Sequence, residues 1–139
     1  MQDLAAIMTM EDRIMGNWHE FDFNEPYEGE EIDSINGIAL PSQYIDFMKE
    51  HNGGEGDLGE TWFVLYPLEE LEEINNDYEI QEYLPGCVII GSNGGGELYG
   101  IDKDGNYFNV PEMLEEDCIT YFGSDIEELP DRINDFWRE

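Results

Sequence analysis

The chain has 139 residues, enough for one domain that buries roughly two-thirds of the surface its unfolded form exposes. Its 35 Asp and Glu against five Lys and Arg give a formal charge of -30, which repels nucleic acid and anionic membranes, because both require a basic surface. Such a balance alone suggests disorder, but three Trp, eight Tyr and seven Phe spread through apolar runs argue for a folded domain under self-repulsion.

Residues 1–25 read as an N-terminal extension, in which Leu4, Ile7, Met8, Met10, Ile14 and Met15 are spaced as a weakly amphipathic helix ahead of the aromatic cluster NWHEFDF. This start lacks a positive n-region and a long apolar h-region, and no run approaches the ~20 apolar residues of a membrane helix. The cytoplasm is therefore the default compartment. From residue 26 to 139 the punctuation reads as one domain. A short helix is expected over Glu28 to Asn36, closed by Gly37, and Pro41 starts another. In that second helix Tyr44, Phe47, Met48 and His51 fall on one face, and Asn52-Gly53 ends it.

GEGDLGE reads as an exposed loop, TWFVLY as a strand, and Pro67 as the first turn of a helix buried through Leu68, Leu71 and Ile74. Glu69, Glu70, Glu72 and Glu73 make the outer face of that helix. CVIIG, ELYGID and NYFNV follow as strands, the last two joined by the hairpin signal KDG, and CITYFG adds another. Ser124 and Glu127 have the spacing of a capping box for a C-terminal helix with Ile126, Leu129, Ile133 and Phe136 inward. Pro130 either kinks that helix or begins a second one. The expected class is α+β: a single domain with one mixed or mainly antiparallel sheet of about five strands, flanked by helices.

The glycine run in IIGSNGGGELYGID invites a phosphate-binding reading, and it fails. GSNGGGEL has neither the dinucleotide spacing nor a following helix, it lacks the Gly-Lys-Ser/Thr ending of a P-loop, and Glu97 would face an anion. DKDGN sets Asp102, Asp104 and Asn106 at alternating positions like a calcium loop, but Gly105 comes fourth instead of sixth and Met113 stands where a bidentate Glu is required. A hairpin turn explains those residues more simply. Cys87 and Cys118, with the separated His19 and His51, form no zinc pattern, and Cys87 reads as a buried thiol. With 35 acids some carboxylate pair always falls within reach, so such a pair carries no catalytic signal. No G-x-S-x-G elbow is present. Neither catalytic residues nor a metal or cofactor is expected.

The ordered run LPSQYIDFMKEHNGG, FVLYPLEELEEIN and YLPGCVIIGSNGGGELYGID resembles the SUKH superfamily, in its Smi/Knr-type branch. The resemblance covers residues 26–110 closely and 111–139 loosely. It implies an α+β fold of one mixed or antiparallel sheet with surrounding helices, and a binding job without catalysis. Bacterial members are typically immunity proteins that bind the toxin domains delivered by kin cells, many of them nucleases. Eukaryotic relatives regulate cell-wall synthesis and signalling. On that footing the expected partner is a basic toxin domain, with a regulatory scaffold for an endogenous protein as the alternative. The glycines, Gly94 to Gly96, are expected to let two strands turn and approach a neighbour closely, which fixes Glu97 and Tyr99. Glu55, Asp57, Glu60, Trp62, Glu97 and Tyr99 are then the expected partner-binding residues at one sheet edge; one alternate face of TWFVLY must be core, so Trp62 points either out or in.

Overall fold

A computed structural model describes Trp18, residues 21–58 and residues 61–137. The helix expected near the N-terminus and Glu60 lie outside these. In chain order come β1 (Phe21–Phe23), the hairpin β2 (Ser34–Ile35) and β3 (Ile38–Ala39), α1 (Ser42–Glu50), β4 (Gly54–Asp57) and β5 (Trp62–Leu65). A 3-10 turn at Leu68–Glu70 leads into α2 (Leu71–Asp77) and α3 (Ile80–Tyr83). Then follow β6 (Cys87–Ser92), β7 (Glu97–Asp102), β8 (Tyr107–Pro111), β9 (Thr120–Gly123) and α4 (Leu129–Trp137). The main sheet is antiparallel, a meander from β4 to β9 with β1 beside β4: β1-β4-β5-β6-β7-β8-β9.

The sheet has seven strands where about five were expected, because GEGD lacks the usual strand composition and the short Phe-Asp-Phe lies in the stretch read as an extension. GEGD is β4, not an exposed loop. Its alternation buries Gly54 and Gly56 and exposes Glu55 and Asp57. The buried glycines face the register partners Phe23 and Phe21, so the aromatic rings fill the core where β4 has no side chains. A Cβ on Gly54 would collide with the Asp22 carbonyl oxygen. β1 itself, Phe-Asp-Phe, lies within the stretch read as a helical extension, and its period of two sends the rings in and Asp22 out.

The helix expected over Glu28 to Asn36 is replaced by the β2–β3 hairpin. Asn36 and Gly37 both take positive φ, 52° and 84°, as a tight two-residue turn demands. Gly37 is thus a turn residue and not a helix cap. The α1 face is as the spacing predicts: Tyr44 and Met48 are buried, and the His51 ring stacks 4.4 Å from Phe23 and 5.6 Å from Phe47. At the other end of the chain Asp125, not Ser124, caps the turn before α4, its carboxylate accepting from the Glu127 N–H at 2.9 Å. Pro130 sits in the first turn of α4, where a missing N–H costs nothing.

Two cores form on the two sides of the sheet. The larger packs α1, α4 and Trp18 against Phe63, Leu65, Val88, Ile90, Tyr99, Ile101 and Tyr107. Trp18 is fully buried, donates its indole N–H to the Ile126 carbonyl at 2.8 Å, and stands 5.0 to 5.8 Å from the rings of Phe21, Phe23, Phe47 and Phe63. The smaller core sets Ile80 of α3 and Leu84 just after it, with Leu114, over Ile89, Leu98, Phe108 and Val110. Burying each such aliphatic or aromatic side chain contributes about 1.5–3 kcal/mol.

Candidate partner-binding face

β5 determines where the sheet is open. Its alternation turns Phe63 and Leu65 into the larger core and leaves Trp62 and Val64 on the other side. Antiparallel register then sets Asp22, Glu55 and Val64 in one cross-strand row and places Asp57 beside Trp62 in the next. Over β6 to β8 this side is roofed by α3 and Leu114. Over β1, β4 and β5 it is open: Asp22, Glu55 and Asp57 are exposed, and Trp62 is 47% exposed.

Between this open face and the turn after β5 runs a groove of about 490 Å3, with Val64 and Tyr66 among its lining and the carboxylates of Asp22, Glu55 and Glu70 around it. A second hollow of about 650 Å3 shares Asn24, Pro67 and Glu70 with the first and adds Glu25, Glu28 and Glu69. No Lys or Arg lines either. Of the described cations, Lys49 pairs with Glu31 at 3.3 Å, Arg132 pairs with Glu128 at 3.2 Å, and Lys103 lies over Gly86. The face is therefore uncompensated by any described cation at its surface.

Asn52 holds the corner between the two hollows. Its buried side-chain amide accepts from the Leu68 N–H at 2.9 Å and donates to the Glu69 carboxylate at 2.7 Å, while the Asn24 side chain donates to its main-chain carbonyl at 3.0 Å. The Asn52 side chain thus ties the end of α1 to the turn that carries Glu69 and Glu70, and its main chain ties in the exit of β1. The HNGG stretch identifies Asn52 in the sequence only as a helix terminator; its reach to residue 68 is tertiary.

The glycine loop joins β6 to β7 and borders this face. Gly94 and Gly96 have φ of 73° and 104°, and the Asn93 side chain accepts from the N–H groups of Gly95 and Glu97 at 2.7 and 3.1 Å. Conformation, not close approach, is what these glycines supply, since a Cβ on any of the three would meet only atoms 3.6 Å or more away. The nearest neighbour of a Cβ on Gly94 is the Trp62 ring, at 3.8 Å, so the loop lies alongside the exposed indole.

The structure therefore brings Glu55, Asp57 and Trp62 onto one side of the sheet. Glu97 is not with them: Leu98 belongs to the smaller core, so alternation puts Glu97 on the side of Tyr99, where its half-buried carboxylate accepts from the Asn109 amide at 2.9 Å. Tyr99, expected at the surface, is not there either. It is 1% exposed and packs edge-on 5.1 Å from Phe63 in the larger core, so it has no surface for a partner. Asp22, Glu25 and Glu28 were missed because they gain meaning only once β1 is seen to pair with β4. Asp102 is a turn device, its carboxylate accepting from the N–H groups of Asp104 and Asn106 at 2.9 Å each. Among the described residues no group of three or more His, Cys, Asp or Glu could hold a metal ion, and no helix is long and apolar enough to cross a membrane.

The chain is similar to the uncharacterised protein YnaB of Bacillus subtilis (strain 168), 32% identical over 102 residues that make up 71% of this chain and 66% of that protein. The model of the SMI1 / KNR4 family (SUKH-1) matches residues 16–136. That match takes in every strand of the main sheet and nearly all of α4, and the chain belongs to the SMI1 / KNR4 (SUKH-1) family.

Proposed function

We propose that this protein is a non-catalytic immunity protein: it binds a basic toxin domain, a nuclease, in the cytoplasm and neutralises it by covering its substrate surface. The observation that carries this reading is the open face formed by Asp22, Glu55, Asp57 and Glu70 with Trp62 among them, which no described cation compensates. Membership of a family whose bacterial members typically bind toxins supports it. A nuclease must present a cationic surface to phosphates, and carboxylates set on β1, β4 and the turn after β5 offer that surface a rigid substitute for the nucleic-acid backbone. A net charge of -30 adds long-range steering toward such a target.

The test is co-expression with the product of the neighbouring gene, the candidate toxin. The two proteins should co-purify, and growth should be restored in cells that the toxin alone kills. A toxin that kills equally well with this protein present refutes the immunity role.

A further inference from the structure

We propose that the open side of β5 and β4 takes an arginine side chain of the partner, its guanidinium stacked on the Trp62 indole and paired with Asp57. This deepens the immunity reading and rests on it for the identity of the partner. Three observations lead here. Trp62 is a large aromatic left 47% exposed on a strand whose residues Phe63 and Leu65 are buried, so its exposure follows the alternation of β5. Asp57 is its direct cross-strand partner, which brings a carboxylate beside the ring. A Cβ built on Gly94 would stand 3.8 Å from the Trp62 ring, so a loop without side chains flanks the exposed indole.

The chemistry selects arginine over lysine. A guanidinium is planar, stacks on an aromatic face, and while stacked still directs N–H donors in its own plane toward a carboxylate. An ammonium meets the same ring only as a strongly hydrated point charge. Glu55 and Asp22, one row further along the sheet, provide the negative field into which the cation is drawn.

The experiment needs no toxin. Protein labelled with nitrogen-15 is titrated with hexa-arginine and with hexa-lysine at equal, near-physiological salt, and the indole N–H signals are followed. Trp18, which donates to Ile126 inside the core, is the internal control. Hexa-arginine should shift the Trp62 signal and not that of Trp18, and should bind about three- to fivefold more tightly than hexa-lysine, the range of an exposed cation-aromatic contact. Trp62→Leu should abolish the preference, Trp62→Tyr should keep most of it, and Asp57→Asn should weaken hexa-arginine more than hexa-lysine. Equal affinities in the parent protein, an unmoved Trp62 signal, or a preference that survives Trp62→Leu would overturn the proposal. An arginine preference in a protein that fails to rescue growth supports this site and refutes only the immunity role. Rescue without the preference refutes this site alone.

Discussion

Replacing Asn75 with leucine tests how the sheet is closed where β5 leaves it. After Tyr66 the chain turns at Pro67, so beyond the Tyr66 N–H bond to Ile90 the flank of β6 loses its strand neighbour. Asn75 of α2 takes that place. Its side-chain oxygen accepts from the Ile89 N–H at 2.7 Å and its amide donates to the Ile89 carbonyl at 3.0 Å and to the Leu71 carbonyl at 2.8 Å. The residue is 1% exposed, so leucine would fit the volume and orphan both Ile89 groups away from water. Each buried group left unsatisfied costs about 1–3 kcal/mol, partly offset by the gain from burying leucine. The expected net loss is about 3 kcal/mol, a fall of about 10 °C in thermal midpoint for a domain of this length. Urea unfolding followed by circular dichroism gives the free energy directly. A loss under about 1 kcal/mol would mean that Asn75 does not complete the ladder. Asn75→Asp should also be destabilised at neutral pH, having lost its donors.

Because the carboxylates repel one another over the folded surface, the thermal midpoint should rise as NaCl is raised from low to near-physiological strength, and a flat or falling midpoint would contradict that. Gly94→Ala and Gly96→Ala should each cost about 1 kcal/mol because their φ is positive, whereas Gly95→Ala should stay within about 0.5 kcal/mol, and equal costs at all three would refute the conformational argument. Burial pushes the Cys87 thiol from 9.0 up to about 11 and raises the Tyr44 and Tyr107 hydroxyls above the usual phenol range. The fold keeps these protons after the unfolded chain has lost them, so stability is intact below about pH 9 and should fall as the pH climbs toward 11; a midpoint constant across that window would contradict the burial. A thiol reagent at pH 8 should accordingly reach exposed Cys118 in the native protein and Cys87 only after unfolding.

What the sequence made legible is the part whose pattern is local. The apolar runs of β5 to β9, the Asp-Gly turn between β7 and β8, and the Tyr44 and Met48 face of α1 all follow from period and composition. β1 and β4 escaped because their evidence is relational: glycines at 54 and 56 form a strand only with Phe21 and Phe23 to fill the space opposite. The candidate face inherits that difficulty. Glu55, Asp57 and Trp62 were found by their closeness in sequence, while Asp22 reaches them across a strand pair whose connection runs from residue 24 to residue 53. Tyr99 was misplaced for the converse reason. Beside a glycine loop it looks exposed, yet the register with β8 and the rings of Phe63 and Phe122 enclose it. The tertiary bonds of Asn52, to the turn after β5, and of Asn75, to the flank of β6, carry no local signal, since each reaches backbone brought near by the fold.

The central claim is that one side of the sheet meets the partner, and not that the protein is merely acidic. Two variants of equal charge separate these ideas: Asp22→Asn, Glu55→Gln, Asp57→Asn and Glu70→Gln on the face, against Glu82→Gln, Asp104→Asn, Glu116→Gln and Asp131→Asn, all exposed and outside the two hollows. The decisive measurement is the association rate of each with the toxin domain by stopped flow, where an unsteered encounter proceeds at about 10^5–10^6 M-1 s-1. The face variant should fall toward that unsteered range while the control stays close to the parent protein; equal rates for the two variants would contradict the account.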